Sequence, residues 1–557
     1  MSGSVNNFKA WWQSGSPWIW LNAGAVSASI IIVFGLLALI AVRGMGHFWP
    51  ADIVQMQYAT ESGQHRIIGE KIESEWIATE RYEESGLGKA PAGQEQVKRW
   101  LIKTGNRELL GSDFRWLDDH NIVEQSTPDN LVVVERVEWG NFYGYLKSVS
   151  ESGKLVAQDE MAWNEFMARI ERVNELREQL KDIEKHEIGA INYQLERLRL
   201  KRKRLELDNE ATAENLADIE NEAKRLDQEY QGLRTQHTSL QNQISRDSAT
   251  FETMDGRTVE LQFANLISIL QPNSLNVFQK LMHYMGAFVD FLLDDPREAN
   301  TEGGIFPAIF GTVMMVILMA ILVTPLGVIA AVYLREYARQ GAMIRLIRIA
   351  VNNLAGVPSI VYGVFGLGFF VYFLGGNLDR LFYPEAAPAP VFGTPGMMWA
   401  SLTLALLTLP VVIVSTEEGL ARIPKSLREG SLALGATKFE TIWKVILPMS
   451  SPAIMTGLIL AVARAAGEVA PLMLVGVVKL APELPLDGNF PFAHLERKFM
   501  HLGFHIYDVG FQSPNVEAAR PLVYATALLL VLVIVLLNLA AIMLRNHLRE
   551  KYKALEN

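Results

Sequence analysis

Apolar residues are concentrated in six long runs that are separated by polar stretches of very different length. A helix needs about 20 apolar residues to cross a bilayer. The first run, 19–42, is followed by Arg43 and not by a small-residue cleavage site, so we expect a membrane helix that is retained. The other runs lie at roughly 305–334, 347–375, 397–416, 452–478 and 521–544. The pattern therefore predicts an all-α polytopic membrane protein with six transmembrane helices.

A polar region, residues 44–304, separates the first apolar run from the second, and we call it the insert. Within it, the segments 130–138 and 256–263 are rich in β-branched residues and are bounded by turn residues, which predicts strands. The insert is therefore expected to be an α+β domain.

The middle of the insert has a different pattern, typical of paired helices. From Leu216 to Ile244 apolar or nearly apolar residues recur at alternating spacings of three and four, as in a coiled-coil seam. An earlier series runs from Val173 to Leu205, and the polar Asp208-Asn209-Glu210 interrupts the register between the two. We expect an antiparallel coiled-coil hairpin over about 162–248. Pairing of one long helix with a second molecule is the alternative.

Basic residues in the short loops predict the orientation, because cytoplasmic loops carry an excess of Lys and Arg. The loop 335–348 has four arginines and the tail 545–557 is also basic, whereas the loop 376–396 has a single arginine. Residues 1–18 and the tail are therefore expected to be cytoplasmic. The insert is expected to lie outside, on the opposite side of the membrane.

Composition narrows the classes of protein. The chain has 557 residues, 20% of them charged, a net charge of −10 and no cysteine. The mean hydropathy of +0.14 fits an average over a membrane part and a polar part. The absence of cysteine excludes disulfides and cysteine-ligated metals. The net negative charge argues weakly against a nucleic-acid partner.

Catalytic signals are weak along the whole chain. Gly88-Lys89 and Gly153-Lys154 lack the flanking residues of a phosphate-binding P-loop, so we expect no ATP hydrolysis by this chain. His501 and His505 are four residues apart without an intervening Glu, and we expect them to be solvent-exposed in a loop. The sequence predicts a non-catalytic protein without a metal site.

The segment 417–448, which we call the elbow, predicts two short helices joined at a glycine. Pro424 suits the first turn of a helix, and Gly435 permits a sharp reversal. Thr437 can cap a second helix that Pro448 is expected to end. Such an elbow is either a docking surface for a cytoplasmic partner or an ordinary amphipathic linker.

The elbow resembles the EAA loop of bacterial ABC importer permeases. Glu429-Gly430-Ser431, then Gly435, then Val445-Ile446-Leu447-Pro448 occur at that loop's intervals, with Gly430-Ser431 where Ala-Ala is usual. The resemblance implies a type I ABC importer permease fold, with a core at 305–544 that contains five of the helices. It also implies that the elbow seats in a groove of the ATPase subunit. The coupling residues would be Glu429, Gly430, Ser431, Gly435, Leu447 and Pro448.

Three further segments, around 324–338, 353–363 and 463–471, resemble the phosphate-specific permeases of that family. The resemblance implies an importer of inorganic phosphate. Its partners would be a second permease subunit, an ATPase dimer and a periplasmic phosphate-binding protein, within membrane lipid. This chain would bind no cofactor, because ATP and Mg²⁺ would bind to the ATPase. It implies no function for the insert.

Arg464 and Glu468 are ionisable residues inside the fifth predicted span, where charge is costly and usually faces a cavity or another charge. At a spacing of four residues they are expected to share one helix face. A guanidinium suits phosphate oxygens, and Glu468 could hold that charge when no anion is bound. The alternative is an ion pair that only fixes helix packing.

The third predicted span is interrupted at Asn352-Asn353 and Gly356-Val357-Pro358-Ser359. Such breaks can expose hydrogen-bond donors to an anion, so Asn353 and Ser359 join the candidate pathway. A packing kink is the alternative.

Two other functions remain open. The same architecture could import another oxyanion, such as molybdate or sulfate. A protein of a different class, an ABC-linked periplasmic signalling or mechanotransmission protein, could use the hairpin without transporting anything.

Overall fold

The structure, a computed structural model, describes residues 11–60, 63–86, 90–91, 93–513 and 516–552. Residues 1–10 of the predicted cytoplasmic N-terminus and 553–557 of the predicted tail lie outside the described residues.

The described residues contain six helical segments long and apolar enough to cross a membrane, as predicted. They are Ser16–Phe48, Phe306–Tyr337, Ser359–Phe382, Met397–Arg422, Lys438–Ala466 and Ala519–Glu550, which we number as the first to sixth spans. The fourth span is the most buried and the first is the least. The fourth span is therefore the centre of the bundle, and the first packs at its edge.

The helices of the chain, some of which are parts of one span, are α1 Ser16–Met45, α2 Thr79–Glu84, α3 Arg107–Leu110, α4 Glu160–Asp182, α5 Gly189–Leu207, α6 Ala213–Ile244, α7 Val277–Leu293, α8 Phe306–Val332, α9 Ala342–Leu354, α10 Ser359–Phe365, α11 Gly376–Phe382, α12 Met397–Arg422, α13 Lys425–Ala433, α14 Lys438–Thr441, α15 Leu447–Ala466, α16 Leu472–Val475, α17 Leu502–Tyr507 and α18 Val516–Tyr552. Wider π-helical turns connect several of them, at Ile183–Ile188, Tyr333–Tyr337, Gly366–Gly375, Ile442–Ile446 and Asp508–Gln512.

Two predicted spans have different limits in the structure. The third was predicted over 347–375, but α9 and α10 are separate helices and the chain between them is not helical. The fifth was predicted over 452–478, but the helix begins at Lys438 and ends at Ala466. The helix can begin before Pro448 because a π-helical turn at Ile442–Ile446 precedes this proline. Pro448 then occupies the first turn of α15, a position where the missing N–H of proline is tolerated.

The insert contains two antiparallel sheets. Their strands are β1 Ile53–Thr60, β2 Gly63–Ala78, β3 Gln96–Lys103, β4 Phe114–Asp118, β5 Ile122–Ser126, β6 Val132–Arg136, β7 Phe142–Glu151, β8 Lys154–Gln158, β9 Asp247–Glu252, β10 Thr258–Gln262 and β11 Leu266–Leu270. The orders are β4-β3-β2-β1-β5 and β10-β9-β7-β6-β11, with β8 also on β7. Strands β6 and β10 confirm the two predicted strand segments. A short β-hairpin, β12 Pro296–Arg297 with β13 Glu302–Gly303, leads to the second span.

A helical hairpin leaves the second sheet between β8 and β9. One arm consists of α4, a π-helical turn and α5, and the other is α6, which contacts both. The arms reverse at Asp208–Thr212, beside the predicted interruption, where Asn209 has a φ of 58°. The base of α4 packs Phe166 and Val173 into the core of the sheet. Coiled-coil packing of the two arms stays a prediction.

Candidate functional site: a charged residue between two broken spans

The fourth and fifth spans pack closely enough to define their register. A Cβ on Gly419 would lie 2.5 Å from the Ala453 Cβ, and one on Gly457 would lie 2.7 Å from the Ser415 Cβ. Both pairs fit one antiparallel register. Extending it places Arg464 level with Thr408, close to the middle of the fourth span.

The fifth span breaks just beyond Arg464. Gly467 ends the helix, and Glu468 lies in the irregular segment that follows. The expectation that the two charges share a helix face is therefore wrong, because the helix ends at Ala466, between them. They remain paired, with 3.5 Å between Arg464 Nε and Glu468 Oε1, and their side chains are 32% and 20% exposed.

The predicted third span, 347–375, is also interrupted, between α9 and α10. Pro358, which has no N–H donor, precedes Ser359, the first residue of α10. The Tyr362 hydroxyl crosses the break and donates a hydrogen bond of 2.6 Å to the Leu354 carbonyl. A Cβ on Gly363 would lie only 2.7 Å from the Pro471 Cα, so the two broken spans are in contact.

The four predicted pathway residues are not equally placed. Ser359 begins a helix, where unpaired N–H groups and the helix dipole favour an anion. Asn353 is exposed in the last turn of α9, on the other side of the break, and its carbonyl accepts a 3.0 Å hydrogen bond from Gly356. The structure thus brings Arg464, Glu468 and the start of α10 to the two breaks, with Asn353 at the margin.

Arg464 has spare hydrogen-bonding capacity. Among the described residues its guanidinium makes no hydrogen bond, and its ion-pair partner is Glu468. A partly exposed guanidinium with free N–H groups can donate hydrogen bonds to two oxygens of an anion at once.

Two histidines near the breaks were missed by the sequence reasoning. His501 and His505 are 1% and 2% exposed, so the expectation of solvent-exposed residues in a loop is wrong. His501 Nδ1 caps α17 by accepting a 3.1 Å hydrogen bond from the Gly503 N–H, and Gly503 packs against Val469 beyond the fifth-span break. Burial lowers the pKa of each histidine to about 4, so both are neutral at physiological pH. No sequence pattern signals their burial, because it depends on contacts with distant segments.

The elbow has the predicted helix–Gly–helix form. Helix α13 ends before Gly435, whose φ of +89° suits glycine, and Thr437 caps α14 in a capping box with Glu440. The expectation that Pro448 ends the second helix is wrong, since the helix continues into the fifth span. Ser431 and Thr441 join the two halves through a 2.9 Å hydrogen bond.

The elbow is also fixed to the end of the second span. Arg428 pairs with Glu336 at 2.9 Å, and the Lys438 ammonium lies 4.5 Å from the centre of the Tyr337 ring. The rest of the elbow surface mixes polar and apolar residues. Glu429, Gly430 and Gly435 are exposed there, and so are Leu434, Phe439 and Trp443. Leu434, at 91%, is one of the most exposed apolar side chains described.

Comparisons with known proteins identify the family to which this chain belongs. Residues 323–553 match the model of the binding-protein-dependent transport system inner membrane component. The chain is 34% identical to the phosphate transport system permease protein PstA of Yersinia pestis, over 44% of this chain and 74% of that protein. It is 32% identical to the probable ABC transporter permease protein YqgI of Bacillus subtilis, over 39% and 70%. The chain belongs to this family of ABC transporter permeases, within its PstA-type members, which are membrane components and not ATPases.

Other relatives are matched over a smaller part of their length. Several curated permeases are covered over 51–61% of their own sequence, among them PstA of Mycobacterium leprae, which is 39% identical over 34% of this chain. Among solved structures, the inward-facing MetNI methionine ABC transporter aligns with a TM-score of 0.32 and 19% identity, over 43% of this chain and 94% of that one.

Proposed function

We propose that this chain is a permease subunit of an ATP-driven importer of inorganic phosphate and forms half of its transmembrane pathway. One observation carries the proposal: Arg464 offers an unsaturated guanidinium at mid-depth, where two broken spans meet. An ion pair that is only partly buried contributes little to stability, so a purely structural role would be a poor reason for it. The phosphate permeases among its relatives support the choice of substrate.

In this mechanism the anion replaces Glu468 on Arg464. The start of α10 at Ser359 supplies N–H donors, and Asn353 lies further along the same route. The carboxylate of Glu468 holds the guanidinium between transport events, so the positive charge always has a partner. Neutral His501 supports the backbone at the break without adding charge to the pathway.

Energy would reach this site through the elbow. Glu429, Gly430 and Ser431 lie in α13 and Gly435 follows its end, while Leu447 and Pro448 lie within the helical segment that carries Arg464. A push on the elbow is transmitted along this one continuous helix from Lys438 to Ala466. In the proposed type I importer the push comes from a PstB-like ATPase dimer that binds ATP and Mg²⁺, while this chain binds no cofactor.

The remaining partners are a PstC-like second permease and a PstS-like periplasmic phosphate-binding protein. The protein is a multi-pass inner-membrane protein. We place its termini in the cytoplasm and the insert in the periplasm, because the arginines of the loop 335–348 lie on the elbow's side of the bundle.

Substitution of Arg464 tests the pathway. In proteoliposomes with the complete complex, Arg464→Gln should abolish uptake of radiolabelled phosphate, while the complex still assembles and hydrolyses ATP. Arg257→Gln is the control, since Arg257 is 60% exposed in the insert, away from both the pathway and the elbow. Normal uptake by Arg464→Gln would refute the assignment. Competition by molybdate and sulfate distinguishes phosphate from the other oxyanions.

A second candidate function, mechanical signalling through the hairpin, rests on contacts between the hairpin and the permease. Lys203 donates a hydrogen bond to the Ala387 carbonyl, and Arg204 lies 3.8 Å from the carboxylate of Glu385. A protein that only transmits force would retain these contacts but show no substrate-dependent uptake.

A further inference from the structure

Helix α7 connects the insert to the second span, and its end is fixed at the start of that span. The Ile305 N–H donates a 2.9 Å hydrogen bond to the Phe291 carbonyl, and the Phe306 N–H donates one of 3.2 Å to the Asp294 carbonyl. A Cβ on Gly304 would lie 2.3 Å from the Asp294 oxygen, so only glycine permits this approach. The end of α7 therefore lies at the level where the bundle leaves the membrane.

One side of α7 packs on the end of the first span. Tyr284, Phe288 and Phe291 surround Phe48 with ring centroids 6.3, 5.5 and 5.0 Å from its own. Lys280 pairs with Asp52, which immediately precedes β1. These contacts set the rotation of α7 about its axis.

The adjacent side of α7 is apolar and uncovered. At 100° per residue, six large side chains fall on one arc of about 120°. They are Phe278, Leu281, Met282, Met285, Val289 and Leu293, each between 43% and 69% exposed. No described part of the chain covers this arc, whereas Gln279, His283 and Asp290 form the opposite, polar edge.

We propose that the apolar arc of α7 lies in the membrane interface, against the lipid acyl chains of the leaflet on the insert's side. A helix with one apolar and one polar face lies in this plane with its apolar face buried in the headgroup boundary. The arc adjoins the first span, whose apolar surface is likewise uncovered by the described chain. Trp49 and Tyr284 lie between them, 6.0 Å apart, and such residues are enriched at membrane interfaces.

The cysteine-free sequence permits a direct test. Single cysteines at Met282, Met285 and Val289 are labelled with an environment-sensitive fluorophore in the complete complex, reconstituted in phosphatidylcholine nanodiscs. Matched controls are Gln279→Cys and His283→Cys on the polar edge. ATPase activity of each complex checks that it has assembled.

Nitroxide attached near the headgroup end of the lipid chains should quench the labels on the arc severalfold more than the control labels. Aqueous iodide should show the reverse order. Equal quenching on both faces would overturn the proposal. Labels on the arc that neither quencher reaches would overturn it too, and would assign the arc to a protein partner such as the second permease. The result does not depend on which anion is transported.

Discussion

Because Gly363 has no side chain, the third span can contact the segment that follows the fifth span, at Pro471. The nearest atoms to a Cβ at this position belong to the Pro471 backbone, which cannot rotate away as a side chain could. The contact places Tyr362 next to the break that follows Arg464. The geometry of the proposed pathway therefore depends on one glycine.

We expect Gly363→Ala to separate the two breaks and to lower phosphate uptake severalfold, because an inserted methyl group in a packed region costs about 1–3 kcal/mol. Gly368→Ala is the control: it lies in the same span, and a Cβ there meets no atom within 4 Å. Uptake and the thermal unfolding midpoint of both variants are compared. Equal behaviour would contradict the tight contact.

Glu302, at the base of the insert, is a second residue with a measurable consequence. The pKa of its carboxyl is raised to about 7, mainly by burial; Lys103 opposes this rise, and the nearby carboxylates of Glu298 and Glu135 support it. Its Oε2 atom has no hydrogen-bond partner among the described residues. A protonated Glu302 suits this environment better than an ionised one.

The free energy of unfolding should therefore fall as the pH rises from about 4.5 to about 7, because the folded chain holds this proton more tightly than the unfolded chain. The contribution is present below the unfolded pKa, is lost through the folded pKa, and is at most about 3 kcal/mol. Glu302→Gln should flatten the pH dependence of the thermal midpoint. Glu210→Gln, exposed at the hairpin turn, should leave it unchanged.

Sequence reasoning reached Arg464 because a charge in an apolar run is conspicuous, and it reached the third-span break through Pro358. It did not find the break at Gly467, since a single glycine is tolerated inside many helices. The burial of His501 was also out of reach, because its neighbours Leu502 and Gly503 contact Thr312 and Val469 of distant segments. Local chemistry was predictable here, and long-range packing was not.

Among the elements, the elbow combines a rigid attachment with an exposed apolar surface. Arg428 pairs with Glu336 and thereby fixes the elbow to the end of the second span. The Arg428 guanidinium also donates hydrogen bonds to the carbonyls of Leu420 and Ile423. The stacked rings of Phe439 and Trp443 lie exposed on α14 and the turn after it. An exposed apolar patch of this kind fits the proposed docking surface for the ATPase.

A charge at this patch should disconnect the ATPase. We expect Leu434→Glu to abolish phosphate uptake and to weaken co-purification of the ATPase subunit, since Leu434 is almost fully exposed and contributes little to folding. Leu155→Glu, at a leucine of the insert that is 55% exposed, is the control. A complex that still transports phosphate with Leu434→Glu would exclude the elbow as the coupling surface.

Elements with a strong pattern were predicted well. The six spans, the helical arms and strands β6 and β10 follow from hydrophobic spacing. The sheet β4-β3-β2-β1-β5 was not predicted, because its edge strands, such as β5, have mostly exposed side chains and lack a clear alternation. Pro448 was read as a helix end, but the π-helical turn before it shows that a tertiary environment can carry a helix through a proline.

On the scale of the whole molecule, the hairpin joins the insert to the permease. We call residues 383–396 and 477–500 the insert-side loops. The Tyr193 hydroxyl donates a 2.5 Å hydrogen bond to the Phe490 carbonyl, and its ring packs 5.7 Å from His494. With the contacts of Lys203 and Arg204, α5 touches both loops. Glu385, the partner of Arg204, is only 6% exposed.

Removing the outer part of the hairpin should free these loops. His237 and Glu184 lie 2.8 Å apart, which places Gly189 level with Gly232 in the antiparallel pair. Replacing residues 190–231 by a short Gly-Ser linker keeps the sheet core at Phe166 and Val173 intact. Hydrogen exchange in the insert-side loops should then rise while the sheets stay protected.

The control for this truncation is Tyr193→Phe, which removes one hydrogen bond and should change exchange only near Phe490. Unchanged exchange in the truncated chain would show that the hairpin contacts contribute nothing to loop order. Phosphate uptake by the same variant decides whether the hairpin serves transport.

The hairpin contact also determines how the insert can move. Two chain connections, at Trp49–Ile53 and at α7, attach the insert to the bundle near Phe48. Because these two attachments are neighbours, they alone would let the insert rotate about the line that joins them. The contact of α5 with the insert-side loops is a further attachment, and Glu73 of the insert also pairs with Arg520 of the sixth span at 3.8 Å. With these attachments in place, the insert cannot rotate unless one of them breaks. Any rearrangement of the insert-side loops must therefore either tilt the insert as a whole or release the hairpin.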